Sequence, residues 1–149
     1  MSKAFVKEDA DGSSEVLPHR EISPHANLVT PEGLAQIEAT VAKLRKDQAE
    51  AKGAADQTLA RDLRYWTAQR ASAQLIADSG TSRVMFGSRV RLQRSDGRTE
   101  TYRIVGVDEA DPKHGTLSYV SPLAQALIDC EVGDTVEVGA TIRLITEIF

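Results

Sequence analysis

The chain is poor in the residues that staple small proteins together. Among 149 residues there is one cysteine, Cys130, so neither an internal disulfide nor a thiolate-rich zinc site can form. His19, His25 and His114 do not carry metal-ligand spacing, and neither a structural metal nor a cofactor is expected. No run approaches the roughly 18 apolar residues that would span a bilayer, and the opening MSKAFVKEDADGSSEV lacks the apolar stretch of a secretory leader. A cytoplasmic protein with no membrane partner is therefore expected. Positive charge is also short: 18 Lys and Arg stand against 22 Asp and Glu, a formal charge of -4. That sign disfavours a nucleic-acid coat, and no sequence-specific nucleic-acid binding is expected. Through Gly80 the chain has 10 basic and 12 acidic residues, and after it 8 and 10, so neither part hides a basic module. A protein partner is favoured. There is no phosphate-cradling glycine loop and no Gly-x-Ser-x-Gly elbow, and Cys130 has no histidine beside it in sequence.

What is present is 41% hydrophobic and 27% charged, enough for one domain or two small ones. Residues 1–29 are polar, include Pro18 and Pro24, and show no sustained period, which predicts an extended arm. At Thr30-Pro31-Glu32 the pattern changes. A capping hydroxyl, a proline suited to the first helical position and an acid at the positive end of the dipole together predict a helix start.

Leu34, Ile37, Val41 and Leu44 follow at steps of three and four, continued by Gln48 and Ala51. Lys52-Gly53 interrupts, Asp56 offers a second cap, and Leu59, Leu63 and Trp66 resume the stripe, with Ala73 and Ile76 extending it. So short a connection predicts two antiparallel helices, a coiled-coil finger over residues 30–79 with arms of about 33 Å at the standard rise. Trp66, placed in the seam, is read as packing rather than as a nucleic-acid platform.

Beyond Gly80 the period becomes two. Val90 and Leu92 alternate with Arg89 and Arg91, and a hairpin is predicted across Ser95-Asp96-Gly97-Arg98. Strands are expected around 116–120, 134–138 and 141–148, with a short helix over 121–128. The expected class is α+β: a helical hairpin followed, over residues 80–149, by one antiparallel sheet carrying a helix on one face.

The segments Val84-Met85-Phe86-Gly87-Ser88, Tyr102-Arg103-Ile104-Val105-Gly106-Val107-Asp108-Glu109-Ala110-Asp111, Ser121-Pro122-Leu123-Ala124-Gln125-Ala126-Leu127 and Gly133-Asp134-Thr135-Val136-Glu137-Val138 stand in this order. Together with Leu28-Val29-Thr30-Pro31-Glu32-Gly33-Leu34 they resemble the GreA/GreB transcription elongation factors. The resemblance implies a finger joined to an FKBP-like domain that docks at the rim of the bacterial RNA polymerase secondary channel. It associates docking with Ser121, Pro122, Leu123 and Ala124, although the family's preceding acid is Val120 here. Ser121 also reads simply as a helix cap.

Cleavage-competent members carry an acidic tip that helps hold a magnesium ion in the polymerase. Here the connection reads Asp47-Gln48-Ala49-Glu50-Ala51-Lys52-Gly53-Ala54-Ala55-Asp56, without that motif. Magnesium needs hard oxygen ligands, so a finger lacking them is not expected to stimulate cleavage. Asp47, Glu50 and Asp56 are the tip candidates for a cleavage-competent alternative, and each also reads as a cap or a solvated helix face. The expectation is a polymerase regulator that is not itself an enzyme. Alternatives are transcript cleavage through those carboxylates, the short-fingered regulators of nucleoside diphosphate kinase, and a peptidyl-prolyl isomerase. The last would need aromatic walls from Phe86, Tyr102, Tyr119 and Phe149.

Overall fold

A computed structural model of the chain describes residues 20–50, 55–77 and 80–149. After the short strand β1 (Leu28–Val29) comes helix α1 (Pro31–Glu50). Its start is built as the residues dictate: the Thr30 hydroxyl accepts from the Gly33 amide at 3.0 Å, and the Thr30 carbonyl accepts from Leu34 at 2.9 Å. Ile37 and Val41 are buried, with Leu34 and Leu44 half-buried on the same stripe.

Helix α2 (Ala55–Ser72) packs against α1 with Leu59, Leu63 and Trp66 half-buried and Gln69 buried. The end of α2 lies beside the start of α1, because strand β2 (Gln74–Leu75) pairs with β1 and Asn27 Nδ2 donates to the Gln69 carbonyl at 2.7 Å. The helices are therefore antiparallel, about 30 and 27 Å long at 1.5 Å per residue. The Lys52-Gly53 interruption lies outside the described residues.

Two sequence expectations need correction here. Ala73 and Ile76 do not extend the seam: the helix ends at Ser72, the Ile76 amide donates to the Val29 carbonyl at 3.0 Å, and the Ile76 side chain packs on the core of the sheet domain. Asp56 does not precede α2 as a cap but falls within its first turn.

The remainder is a five-stranded sheet in the order β5-β4-β3-β7-β6, with β3 (Arg89–Arg94), β4 (Thr99–Val105), β5 (Thr116–Ser118), β6 (Thr135–Val138) and β7 (Thr141–Ile148). Helix α3 (Pro122–Leu127) stands between β5 and β6 in sequence. The β3–β4 hairpin closes over Asp96 and Gly97 as the alternation predicts, Gly97 taking a φ of 89° that a side chain would resist. An all-antiparallel sheet was expected; β5 instead runs parallel to β4, Ile104 facing Leu117. The reason is the connection, residues 106–115, which crosses back past a turn of 3-10 helix (Pro112–His114) and re-enters the sheet beside β4 in the same direction.

One face of the sheet carries the core. Val90, Leu92, Ile104 and Ile145 are fully buried there, with Ala124 and Leu127 of α3 and Val84 of the preceding segment joining them. Each large apolar side chain removed from water contributes about 1.5–3 kcal/mol, so this cluster, not the thinner helix seam, anchors the molecule.

Candidate functional site

The helical hairpin meets the sheet domain at one loop, residues 106–111, and two carboxylates in it hold the two helices separately. Glu109 takes the start of α1: its carboxylate accepts from the Thr30 amide at 3.0 Å and from the Thr30 hydroxyl, and from the Gly106 amide at 3.2 Å. It thus lies at the positive end of the α1 dipole while binding an otherwise unpaired amide. Asp108 takes α2, accepting from the Tyr65 hydroxyl and from Gln69 Nε2. Burial first, then the hydrogen bond and charge of Asp108, push the Tyr65 phenol up to about 12.

Close approach makes this joint. A Cβ on Gly33 would stand 2.0 Å from Cδ of Glu109, and one on Gly106 would stand 2.3 Å from the Leu28 carbonyl oxygen. Glycine at both positions lets helix, entering strand and loop interlock. Outer contacts add to it: Arg103 holds Glu32 at 3.0 Å, the Tyr119 hydroxyl donates to the Ala26 carbonyl, and Arg20 lies 3.9 Å over the Tyr65 ring. The Arg103 hydrogen bond holds the Glu32 carboxyl below its usual range, with the charges of Arg103 and Arg89 acting the same way.

The docking candidates sit on the sheet domain. Ser121 caps α3, its hydroxyl accepting from the Ala124 amide at 3.4 Å, so the capping reading holds. Pro122 is exposed, Ser121 and Leu123 are half-buried, and Ala124 is fully buried in the core, where it supports the segment without presenting a surface. The tip candidates lie elsewhere. Asp47, about 24 Å along α1 from Pro31 at the helical rise, is ion-paired to Lys43 at 2.7 Å, and Glu50 is exposed at the helix end. The Asp56 side chain lies outside the described residues.

Other chemistry-bearing groups are accounted for locally. Burial, then Asp134 and Asp129, push the Cys130 thiol up, away from thiolate reactivity, and its sulfur lies 3.3 Å from the Ala126 carbonyl. His114 Nδ1 meets Asp111 at 2.6 Å. The four aromatics weighed for a proline pocket divide into two places: Phe86 packs edge-on to Tyr119, 5.7 Å between centroids, whereas Tyr102 and Phe149 line a cavity beside Arg89. Among the described residues no group of three or more His, Cys, Asp or Glu side chains could hold a metal ion, and no helix is long and apolar enough to cross a membrane.

Sequence reasoning missed the joint. Asp108 and Glu109 were visible only inside a quoted family segment, and nothing in the local pattern points to partners 39 and 79 residues away.

Residues 79–146 match the family described as Transcription elongation factor, GreA/GreB, C-term. Over that stretch, a little under half of its length, the chain is similar to the GreA/GreB family. It is 53% identical over 60 residues to the transcription elongation factor GreA of Sinorhizobium medicae, covering 40% of this chain and 38% of that protein. Against the transcription elongation factor GreB of Neisseria meningitidis it is 41% identical over 80 residues, covering 51% and 48%. The chain therefore spans less than half the length of either of these relatives. Among solved structures it is similar to the GreA factor homolog Gfh1 of Thermus thermophilus, with a TM-score of 0.43, 15% identity, and 84% of this chain and 99% of that one covered. The GreA/GreB factor of Nitrosomonas europaea gives a TM-score of 0.42 at 18% identity, with 82% and 98% covered. These two scores are too low to bear on the fold.

Proposed function

We propose that this protein is a cytoplasmic regulator of bacterial transcription that binds RNA polymerase and acts through the secondary channel without stimulating transcript cleavage. In this reading residues 80–149 form an FKBP-like docking domain that engages the rim of the channel through Ser121, Pro122 and Leu123, with Ala124 holding that segment from beneath. Residues 30–79 act as an antiparallel coiled-coil finger, and residues 1–29 as an arm. The observation that carries the proposal is the joint: a GreA/GreB-type domain grips a two-helix arm by Asp108 on one helix and Glu109 on the other. A rigid arm of about 30 Å can occupy a channel and alter nucleotide access or polymerase conformation with no chemistry of its own.

The absence of cleavage is supported by the tip. Asp47 is engaged by Lys43 four residues before it, and such a carboxylate is a poorer magnesium ligand than a free one. The competing reading, cleavage through Asp47, Glu50 or Asp56, is separated by one assay. Incubated with a stalled, backtracked complex, the protein is expected to leave the RNA length unchanged. Shortened RNA that disappears in Glu50→Ala or Asp56→Ala would replace the present reading with that one. Binding itself is tested by capture of core polymerase at moderate salt, and failure to recover it would refute the proposal.

A further inference from the structure

On the sheet domain, away from the tip and from the Ser121 segment, two arginines face each other. Arg89 on β3 and Arg103 on β4 are direct partners in the antiparallel register. Like charges so placed, with Cβ atoms about 5 Å apart, destabilise a strand pair unless something neutralises them. Glu32 pairs with Arg103 at 3.0 Å and feels the Arg89 charge as well, but Arg89 forms no ion pair with any described residue. Both line a cavity of about 390 Å³, together with Thr101, His114 and the Phe149 ring. No Asp or Glu side chain lines it, and the Phe149 main-chain oxygen there accepts from the Arg89 amide at 2.9 Å.

We propose that this cavity binds a small phosphate monoester, its dianion bridging Arg89 and Arg103 and its organic group lying against Phe149. Planar guanidinium forks pair two oxygens of a phosphate at once, and a dianion answers two facing cations where a single carboxylate answers one. The volume falls in the range of small-molecule sites, not of grooves that follow a polymer. Phe149 is 41% exposed, with the Arg91 guanidinium 5.5 Å from its ring centroid, so the remainder of the ring is left for an apolar group. Occupation has a structural consequence, because the same Arg103 holds Glu32 in the first turn of α1. The phosphate competes with Glu32, and binding loosens one contact between hairpin and domain.

The test is a titration of the full chain, followed by NMR at constant ionic strength, with phenyl phosphate and with inorganic phosphate. Phenyl phosphate is expected to saturate, binding more tightly than inorganic phosphate and moving the signals of residues around 89, 103 and 149. Arg89→Gln removes a charged donor and is expected to weaken binding about tenfold or more. Glu32→Gln removes the internal competitor and is expected to strengthen it about two- to fivefold. Arg64→Gln, on exposed α2 surface, is expected to change nothing. Shifts that never saturate, or that fall equally in Arg64→Gln and Arg89→Gln, would overturn the site. Equal affinity for the two probes would overturn the monoester assignment, and unchanged affinity in Glu32→Gln would overturn the competition.

Discussion

Two glycines decide whether the joint can close, and they fail differently when filled. In Gly106→Ala the new methyl meets the Leu28 carbonyl oxygen, so main chain must move, and a loss of about 1–3 kcal/mol is expected from overpacking. In Gly33→Ala the obstacle is the Glu109 side chain, which can swing away at the cost of its bonds to Thr30, while alanine returns up to about 1 kcal/mol of helix propensity. Gly106→Ala should therefore be the less stable variant in urea unfolding. The contrast sharpens in a Glu109→Ala background, where Gly33→Ala is expected to be neutral or stabilising by up to about 1 kcal/mol. A Gly33→Ala variant equally destabilising with and without Glu109 would refute the clash as its cause. Tyr65 supplies a pH signature at the same scale. Its phenol is raised from 10.0 to about 12, so the stability it contributes is complete below pH 10 and is lost as pH rises toward about 12. Tyr65→Phe should remove that part of the alkaline loss; identical stability profiles above pH 10 in the two proteins would show that the Asp108 contact plays no part in it.

At the scale of elements, the two helices depend on the sheet domain unequally. Asp108 binds α2 through Tyr65 and through Gln69, a residue 4% exposed whose Oε1 has no hydrogen-bond partner among the described residues. Asp108→Ala would strip Gln69 of its remaining side-chain partner among those residues, an expected cost of about 1–3 kcal/mol. Hydrogen exchange should rise in the last turns of α2 and in β2 while β3, β4 and β7 keep their protection; uniform loss across the sheet would mean that the hairpin and domain unfold as one unit. This division also explains what was legible beforehand. Thr30, Pro31 and Glu32 announce α1 because capping is a local act, and the β3–β4 turn and β7 follow from period two and a glycine at positive φ. Strands β1 and β2 carry no such mark. Each has two residues, and their pairing brings Leu28 to Gln74 across the whole hairpin. Ile76 misled because it falls in helical step with Trp66 and Ala73, whereas the Val29 carbonyl draws it into the sheet. The parallel entry of β5 depends on how residues 106–115 cross over, a matter of tertiary packing that alternation in Thr116 to Ser118 cannot express. The site was legible in its capping serine and unreadable in its two carboxylates, since a loop acid acquires its role only from residues far along the chain.

For the whole molecule, docking and action are separable if the arm is aimed by the joint. The sheet domain has its own core, and none of the side chains in that core belongs to α1 or α2, so loosening the arm should leave the proposed docking segment at Ser121 intact. The double variant Asp108→Ala, Glu109→Ala releases both helices from the loop at once, although Arg103 still reaches Glu32. It should still be captured by core polymerase, with an affinity within about threefold of the parent because few docking contacts change. Its effect on pausing or nucleotide addition should fall far more, because an arm free to swing about its base spends little time along any one direction and pays an ordering entropy on entering a narrow channel. Elongation measured on a single template, with the variant at saturating concentration, distinguishes the two quantities. If the variant bound and acted as the parent does, the direction of the arm would be irrelevant and the regulatory effect would have to arise from the docked domain alone. If it neither bound nor acted, the joint would be part of the docking surface.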